Sequence, residues 1–285
     1  MRGIRFDDAK HFYERVAPVF SAHEIENSLF LGVAKRLADG GERAFLCALE
    51  SETRIVAAAL RTPPYQLSVC AADLAAIARL VEAVRKLDAA IPAVMGRQDL
   101  ATHFAEHWVA QGRGAWRIEL DMTFYALRRV VAPPVVARGA LRLAVQPDLD
   151  WLADTHAAFA FEVGLPERER GADHAARVMQ RKIRRSEQFV WEVGGHPVAF
   201  IGFTPTGITG ARIGPVMTTP AERRKGYASA AVAALSQRLL DGAFSWCGLF
   251  ADVKNPDSNR IYQRLGYREA CRYRSIEFSD PVRAG

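Results

Sequence analysis

The two halves of this chain carry the same order of secondary-structure elements while sharing few residues. In the first half, "RAFLCALESETRIVAAALRTPP" reads as a β-hairpin and "QLSVC" as a strand. The helix "AADLAAIARLVEAVRKLD", the strand "IPAVMG", the helix "RQDLATHFAEHWVAQG" and the strand "WRIELDMTFYAL" follow. The second half repeats the order. Its hairpin, "QFVWEVGGHPVAFIGFTP", turns at Gly194-Gly195, and the strand "ARIGPVMTT" follows. Next come a helix from about Tyr227 to Leu240, the strand "FSWCGLFADV", the short helix "PDSNRIYQRLGY" and the strand "EACRYRSIEF". Central strands joined through helical crossovers predict a mixed α/β sheet in each half. Helical sequence precedes each hairpin: "HFYERVAPVFSAHEIENSLFLGVAKRLAD" in one half, "LDWLADTHAAFAFEVGL" and "ADHAARVMQRKIRRSEQ" in the other. These helices are expected to wall one side of the sheet. Pro133, Pro134 and Gly139 break the pattern between the halves, which predicts two domains, 1–132 and 140–285, joined by a linker at 133–139.

With 285 residues, 49% of them hydrophobic, the chain can bury a core of that size. A net charge of +6 spread along the chain argues weakly for nucleic acid and suits a small polyanionic ligand as well. Cys47, Cys70, Cys247 and Cys271 are far apart inside apolar segments, the pattern of reduced core thiols. No signal-peptide core and no membrane-length apolar run is present, so a cytoplasmic protein without a membrane partner is expected.

The segment "IGPVMTTPAERRKGYASAAVAALSQRLL" concentrates the chemistry. Arg223, Arg224 and Lys225 stand at a helix N-terminus, where the macrodipole already disfavours cations, unless an anion sits between them. Gly226 lets the backbone approach a ligand, and Ala228 is nearly as small. Ala228, Ala231, Val232, Leu235 and Leu239 share a face that can pack on the sheet. Pro215 in mid-strand implies a bulge or a splayed neighbour, which frees amides for a ligand with peptide-like groups.

Arg223–Ala228 fits the R/Q-x-x-G-x-G/A signature, and "NPDSNRIYQRLGY", Asn255 to Tyr267, fits N-P-x-S-N-x-x-Y-x-x-x-G-Y. On these residues the second half resembles the GNAT superfamily of acyl-CoA N-acetyltransferases, and the first half resembles a degenerate copy lacking the glycine and arginine of the signature. The resemblance implies acetyl-CoA as cosubstrate, with its pantetheine arm and pyrophosphate held by Val216, Met217, Thr218, Arg223, Arg224, Lys225, Gly226, Tyr227, Ala228 and Ser229. It implies further contacts from Asn255 and Ser258, and Tyr262 as the general acid that protonates the departing thiolate. Backbone N–H groups of Val216 or Met217 would face the developing oxyanion. The strand glutamate that many relatives use as base is missing from "ARIGPVM". Glu162, Glu192 and Asp252 are candidates for that role, with Glu162 placed first and an ordered water as the alternative. The expected reaction is acetylation of a small-molecule amine by direct attack in a ternary complex. A non-catalytic acyl-CoA sensor or scaffold is the rival.

Two other patterns point elsewhere. "HFAEH", His103 to His107, matches the zinc-protease pattern H-x-x-E-H, yet Leu100, Phe104 and Trp108 give its helix a core-like face and no third ligand is identifiable. No metal is therefore expected. The arginine-rich segment before "QFVWEV" has only Val178, Met179 and Ile183 as an apolar stripe, which predicts a solvated helix. It lacks the interleaved aromatics of a nucleic-acid surface.

Overall fold

A computed structural model describes residues 1–285 except 41–42, 64, 88–90, 112–113, 134–136, 166 and 280–285. Pro134, one of the two linker prolines, therefore lies outside the described residues. The first half runs β1 (Arg2–Arg5), α1 (Ala9–Phe20), α2 (Glu24–Ala38), β2 (Phe45–Ser51), β3 (Arg54–Arg61), β4 (Leu67–Ala71), α3 (Leu74–Leu87), β5 (Ala93–Arg97), α4 (Gln98–Ala110) and β6 (Ala115–Leu127). The second runs β7 (Ala140–Leu143), α5 (Leu149–Glu162), α6 (Ala172–Arg184), β8 (Gln188–Val193), β9 (His196–Pro205), β10 (Gly210–Thr218), α7 (Tyr227–Asp241), β11 (Trp246–Asp252), α8 (Pro256–Arg264) and β12 (Arg268–Ser279). The fold is mixed α/β, and each hairpin, crossover helix and strand expected from the sequence is present.

The described strands join one sheet, in the order β1-β2-β3-β4-β5-β12-β6-β11-β10-β9-β8-β7. The halves exchange their last strands. β12 enters the first half's territory, pairing with β5 from Tyr273↔Arg97 to Glu277↔Ala93. β6 crosses the other way and pairs with β11 from Cys247↔Leu127 to Asp252↔Met122. The two exchanged strands meet at the centre, from Arg268↔Ala126 to Ser279↔Ala115. Local periodicity identifies such strands but carries no information about which half they pair with.

The sequence reading missed both sheet edges. β1 pairs with β2, and β7, which directly follows the linker expected at 133–139, pairs with β8. Four-residue strands with an arginine in each show no alternation to detect, and short charged edges discourage edge-to-edge pairing.

One apolar cluster lies under α7, joining Ala231, Val232, Leu235 and Leu239 to Ile213, Leu249 and Tyr262. On the opposite face, α5 and α6 cover Val190, Phe200 and Met217. Val178, Met179 and Ile183 form the expected stripe of α6, but the helix also buries Lys182, which the reading as a solvated helix did not anticipate.

Glu24, in the first turn of α2, latches the halves together. Its carboxylate accepts from Thr206 Oγ1 (3.0 Å), Thr209 N (2.8 Å), Thr209 Oγ1 (2.5 Å), Gly210 N (3.1 Å) and Trp246 Nε1 (3.3 Å). Burial raises its pKa, but these hydrogen bonds outweigh burial and hold it below the ordinary carboxylate value. Glu24→Ala leaves several donors without an acceptor and is expected to cost roughly 1–3 kcal/mol in denaturant unfolding. A carboxyl lowered in the folded state stabilises above its unfolded pKa and stops doing so as pH falls through the folded value. The stability gap between wild type and Glu24→Ala should therefore close on acidification below about pH 4.

Candidate active site

β10 and β11 are parallel neighbours that separate. They pair only at Gly210↔Trp246, Ala211↔Cys247 and Arg212↔Gly248. Beyond Arg212, β10 shifts register against β9 between Ile213 and Val216, around the expected bulge at Gly214-Pro215. The rest of β10 follows β9 while β11 follows β6, and a V-shaped gap opens between them. Thr219 N donates to Val198 O, so the two-residue alternation of an antiparallel ladder turns the Val216 and Thr218 N–H groups away from β9, into the gap. Met217, offered with Val216 as an amide donor, instead points its N–H at β9. Thr218 Oγ1 is buried and, among the described residues, has no hydrogen-bond partner.

The wide end of the gap leads to the start of α7. Gly226 precedes the helix in a left-handed conformation (φ 85°, ψ 1°), and no side chain caps the helix. Arg224 also has a positive φ of 64°, so the backbone alternates in sign through Lys225 to Gly226. This alternation turns successive N–H groups to one side, a concavity suited to anions. Among the described residues, the amides of Tyr227, Ala228 and Ser229 have no backbone acceptor. The long alanine-rich run explains why α7 forms, and Tyr227 and Ala231 anchor it in the core.

The three cations are less bare than the sequence implied. Arg223 Nη2 lies 2.5 Å from Glu162 Oε2, and its Nε donates to Thr218 O at 3.2 Å. Lys225 Nζ lies 2.8 Å from Glu222 Oε2. Arg224 is exposed and has no ion-pair partner among the described residues. Glu162 thus stands at the rim of the helix start, half-exposed and paired with Arg223. Glu192 pairs with Arg142 at 2.5 Å, and Asp252 Oδ1 accepts from Lys254 N at 2.7 Å where β11 ends.

α8 flanks β11 as the motif dictates. Asn255 caps it by accepting from Ser258 N at 3.0 Å, Pro256 opens it and Gly266 (φ 98°) follows its end. Tyr262 is buried in the same cluster that Val216 packs against. Burial pushes its phenol up to about 12, partly offset by a hydrogen bond with Ser258 one turn back. A phenol with that pKa keeps its proton across the working range of an enzyme.

Two positioning residues escaped the sequence reading. Asn259 Nδ2 donates to Asp252 O (2.9 Å) and Asn255 O (2.7 Å), fastening α8 to the end of β11. Its Oδ1 accepts from Tyr125 Oη at 2.9 Å, and the Tyr125 ring lies 6.4 Å from that of Tyr262. The asparagine stood in the quoted motif and could have been weighed. Tyr125 belongs to the exchanged strand β6, and nothing local places it here.

The His103 and His107 rings lie 4.2 Å apart, with His107 Nδ1 3.0 Å from the His103 carbonyl oxygen. No group of three or more metal-ligating side chains occurs among the described residues. No described helix is long and apolar enough to cross a membrane.

A splayed parallel strand pair ending at an uncapped, left-handed helix start defines a site for an extended ligand with peptide-like groups and an anionic end. Residues 152–267 match the Acetyltransferase (GNAT) family, so the second half of the chain carries a GNAT domain. Among solved structures, a protein from Drosophila melanogaster has a TM-score of 0.71 at 14% identity, over 98% of this chain and 99% of that one. A GCN5-related N-acetyltransferase from Sphaerobacter thermophilus has a TM-score of 0.61 at 18% identity, over 96% of this chain and 94% of that one. A tandem GNAT protein from the clavulanic acid biosynthesis pathway has a TM-score of 0.58 at 11% identity, over 100% and 99%. At these identities the likeness is one of fold, here the tandem GNAT fold. No curated protein matches the chain. Family and fold together support acyl transfer in general.

Proposed function

We propose that the chain transfers an acetyl group from acetyl-CoA to an amine, with the gap between β10 and β11 as the cosubstrate site and the first half as a structural partner. Two domains, 1–132 and 140–285, exchanging their last strands, are part of this reading. The single observation that carries it is the alignment of open amides along the gap with the left-handed, uncapped start of α7. These features suit the ligand: amides at Val216 and Thr218 for the pantetheine arm, the unpartnered Thr218 hydroxyl beside them, and the N–H groups of Gly226 to Ser229 for the pyrophosphate. Arg223, Arg224 and Lys225 add charge around the phosphates, and Asn255 and Ser258 line the far wall. Met217 contributes its backbone position through the β9 ladder.

When bound, acetyl-CoA supplies the acyl group as a thioester. The Val216 N–H faces the gap and is placed to donate to the thioester oxygen. Tyr262 holds a proton for the thiolate, such transfer being worth about 10²–10⁴-fold in rate. Since Glu162 and Glu192 each have an arginine partner, the amine proton is assigned to a water near Asp252 or at the gap mouth. Those same pairings favour the second reading, a protein that binds acyl-CoA without turnover. A thiol-release assay with acetyl-CoA across an amine panel separates the two. Amine-dependent thiol release supports transfer, and CoA binding without release supports the sensor.

A further inference from the structure

The closed end of the gap holds a charge that neither fold nor cosubstrate uses. Arg212 occupies the last rung paired with β11, opposite Gly248. Its neighbours Ala211 and Ile213 point into the cluster beneath α7, so the Arg212 side chain leaves the sheet on the other face. There its guanidinium carbon lies 6.0 Å from the centre of the Phe250 ring. Phe250 is two residues beyond Gly248 along β11, so the side chain leans toward the open part of the gap. Phe250 in turn packs with Phe124 and Tyr273 at the junction of the halves, a cluster that Ile25 and Leu29 also pack against.

No carboxylate forms an ion pair with Arg212 among the described residues. The surrounding charges are mostly like in sign. Burial and then the Arg36 guanidinium on α2 pull Arg212 down to about 10. Lys182 on α6, donating to Phe203 O at 2.7 Å and Thr204 Oγ1 at 3.3 Å, is pulled down to about 8 by burial, against the opposing pull of Glu187. Arg181, Arg36 and Arg212 all push Lys182 the same way, and Glu187 is the acid that faces this group. A partly buried guanidinium among cations, facing an aromatic ring and lacking a carboxylate partner, is a receptor for an anion.

The phosphates of CoA are not that anion. Thr218 lies six residues further along β10, roughly 20 Å, with the loop to Gly226 beyond it. The anion therefore arrives with the acceptor, on the face opposite α7. Resting on the acetyl-transfer reading above, we propose that the acceptor is a free amino acid whose carboxylate docks on Arg212 while its amino group reaches the gap beside Val216. Strand rise separates the Arg212 and Val216 backbones by roughly 13 Å, of which the arginine side chain covers a good part. The amino and carboxyl groups of the acceptor are then only a few bonds apart.

The test is acetyl-CoA-dependent thiol release with the standard amino acids, β-alanine and γ-aminobutyrate, each compared with its amide and its decarboxylated amine. At least one amino acid is expected to exceed its amide and its amine by about 100-fold in kcat/KM. Arg212→Met should erase that preference mainly through KM, with Arg212→Lys intermediate. Neither change should alter the Kd for CoA, and Arg212→Met should not lower Tm, since an apolar side chain replaces a partly buried charge that has no carboxylate partner. Three results would overturn the inference: amides and amines used as well as amino acids, an unchanged KM in Arg212→Met, or CoA binding with no panel member acetylated. Failure of the wild type to bind CoA would instead remove the acetyl-transfer reading itself.

Discussion

Replacing Tyr262 by phenylalanine is expected to lower turnover with acetyl-CoA by about 10²–10⁴-fold while CoA affinity stays within about twofold. The side chain is buried, so the ring stays where it packs, among Tyr125, Tyr267 and the residues beneath α7. What is lost is one hydroxyl and its hydrogen bond with Ser258, a stability cost of about 0.5–1.5 kcal/mol. The chemistry loses more. With no phenolic proton available, the thiolate must leave unprotonated or take its proton from solvent. The pH dependence follows from the raised pKa. A group that must be protonated fails as pH climbs through its pKa, here about 12, so Tyr262 should impose no alkaline limb below about pH 10. An alkaline limb near neutrality, absent in Tyr262→Phe, would show that the tyrosine titrates in a far more polar setting. A turnover that is unchanged in Tyr262→Phe would remove it from the reaction.

Gly226→Val should weaken CoA binding by about 100-fold or more without unfolding the protein. The space around the glycine is open: an added Cβ would meet only the Ala137 Cβ, at 3.8 Å. The backbone is the obstacle. At φ 85° a β-branched residue is strained by about 1–2 kcal/mol, so the loop is expected to relax and turn its amides away from a shared centre. Two isopropyl carbons would also stand where the phosphate must approach the N–H groups of α7. Because the rest of α7 is held by Ala231, Val232, Leu235 and Leu239, the variant should keep a cooperative melt. Gly226→Ala, with less bulk and the same handedness problem, should fall between.

Much of this architecture could be read from the chain because its signals are local. Gly194-Gly195 marked a hairpin, Asn255 and Pro256 opened α8, and Pro215 announced the separation of β10 from β11. The parts that could not be read depend on distant partners. The exchange of β6 and β12 brings Phe124, Trp246 and Tyr273, distant in sequence, into one cluster at the junction, and no local pattern announces that contact. For the same reason the sequence offered no hint that Tyr125 of the first half would hold Asn259 beside Tyr262, or that Glu24 would cap the turn before β10. The cations at α7 were conspicuous and Glu222 stands three residues from its partner Lys225, but the pairing of Arg223 with Glu162 required the fold to bring α5 to that loop. Arg212 was hidden differently. One arginine in an apolar strand has no spacing to betray it, and only its partial burial without a carboxylate partner makes it informative.

The most direct measurement is calorimetric titration of CoA into the wild-type protein and into Gly226→Val, followed by a structure of the wild-type complex. Saturable heat at one site per chain, greatly weakened in the variant, with the pyrophosphate on the amides of Gly226 to Ser229, is the expected result. No heat at millimolar CoA, or equal binding by both proteins, would contradict the assignment of the α7 start as the cosubstrate site.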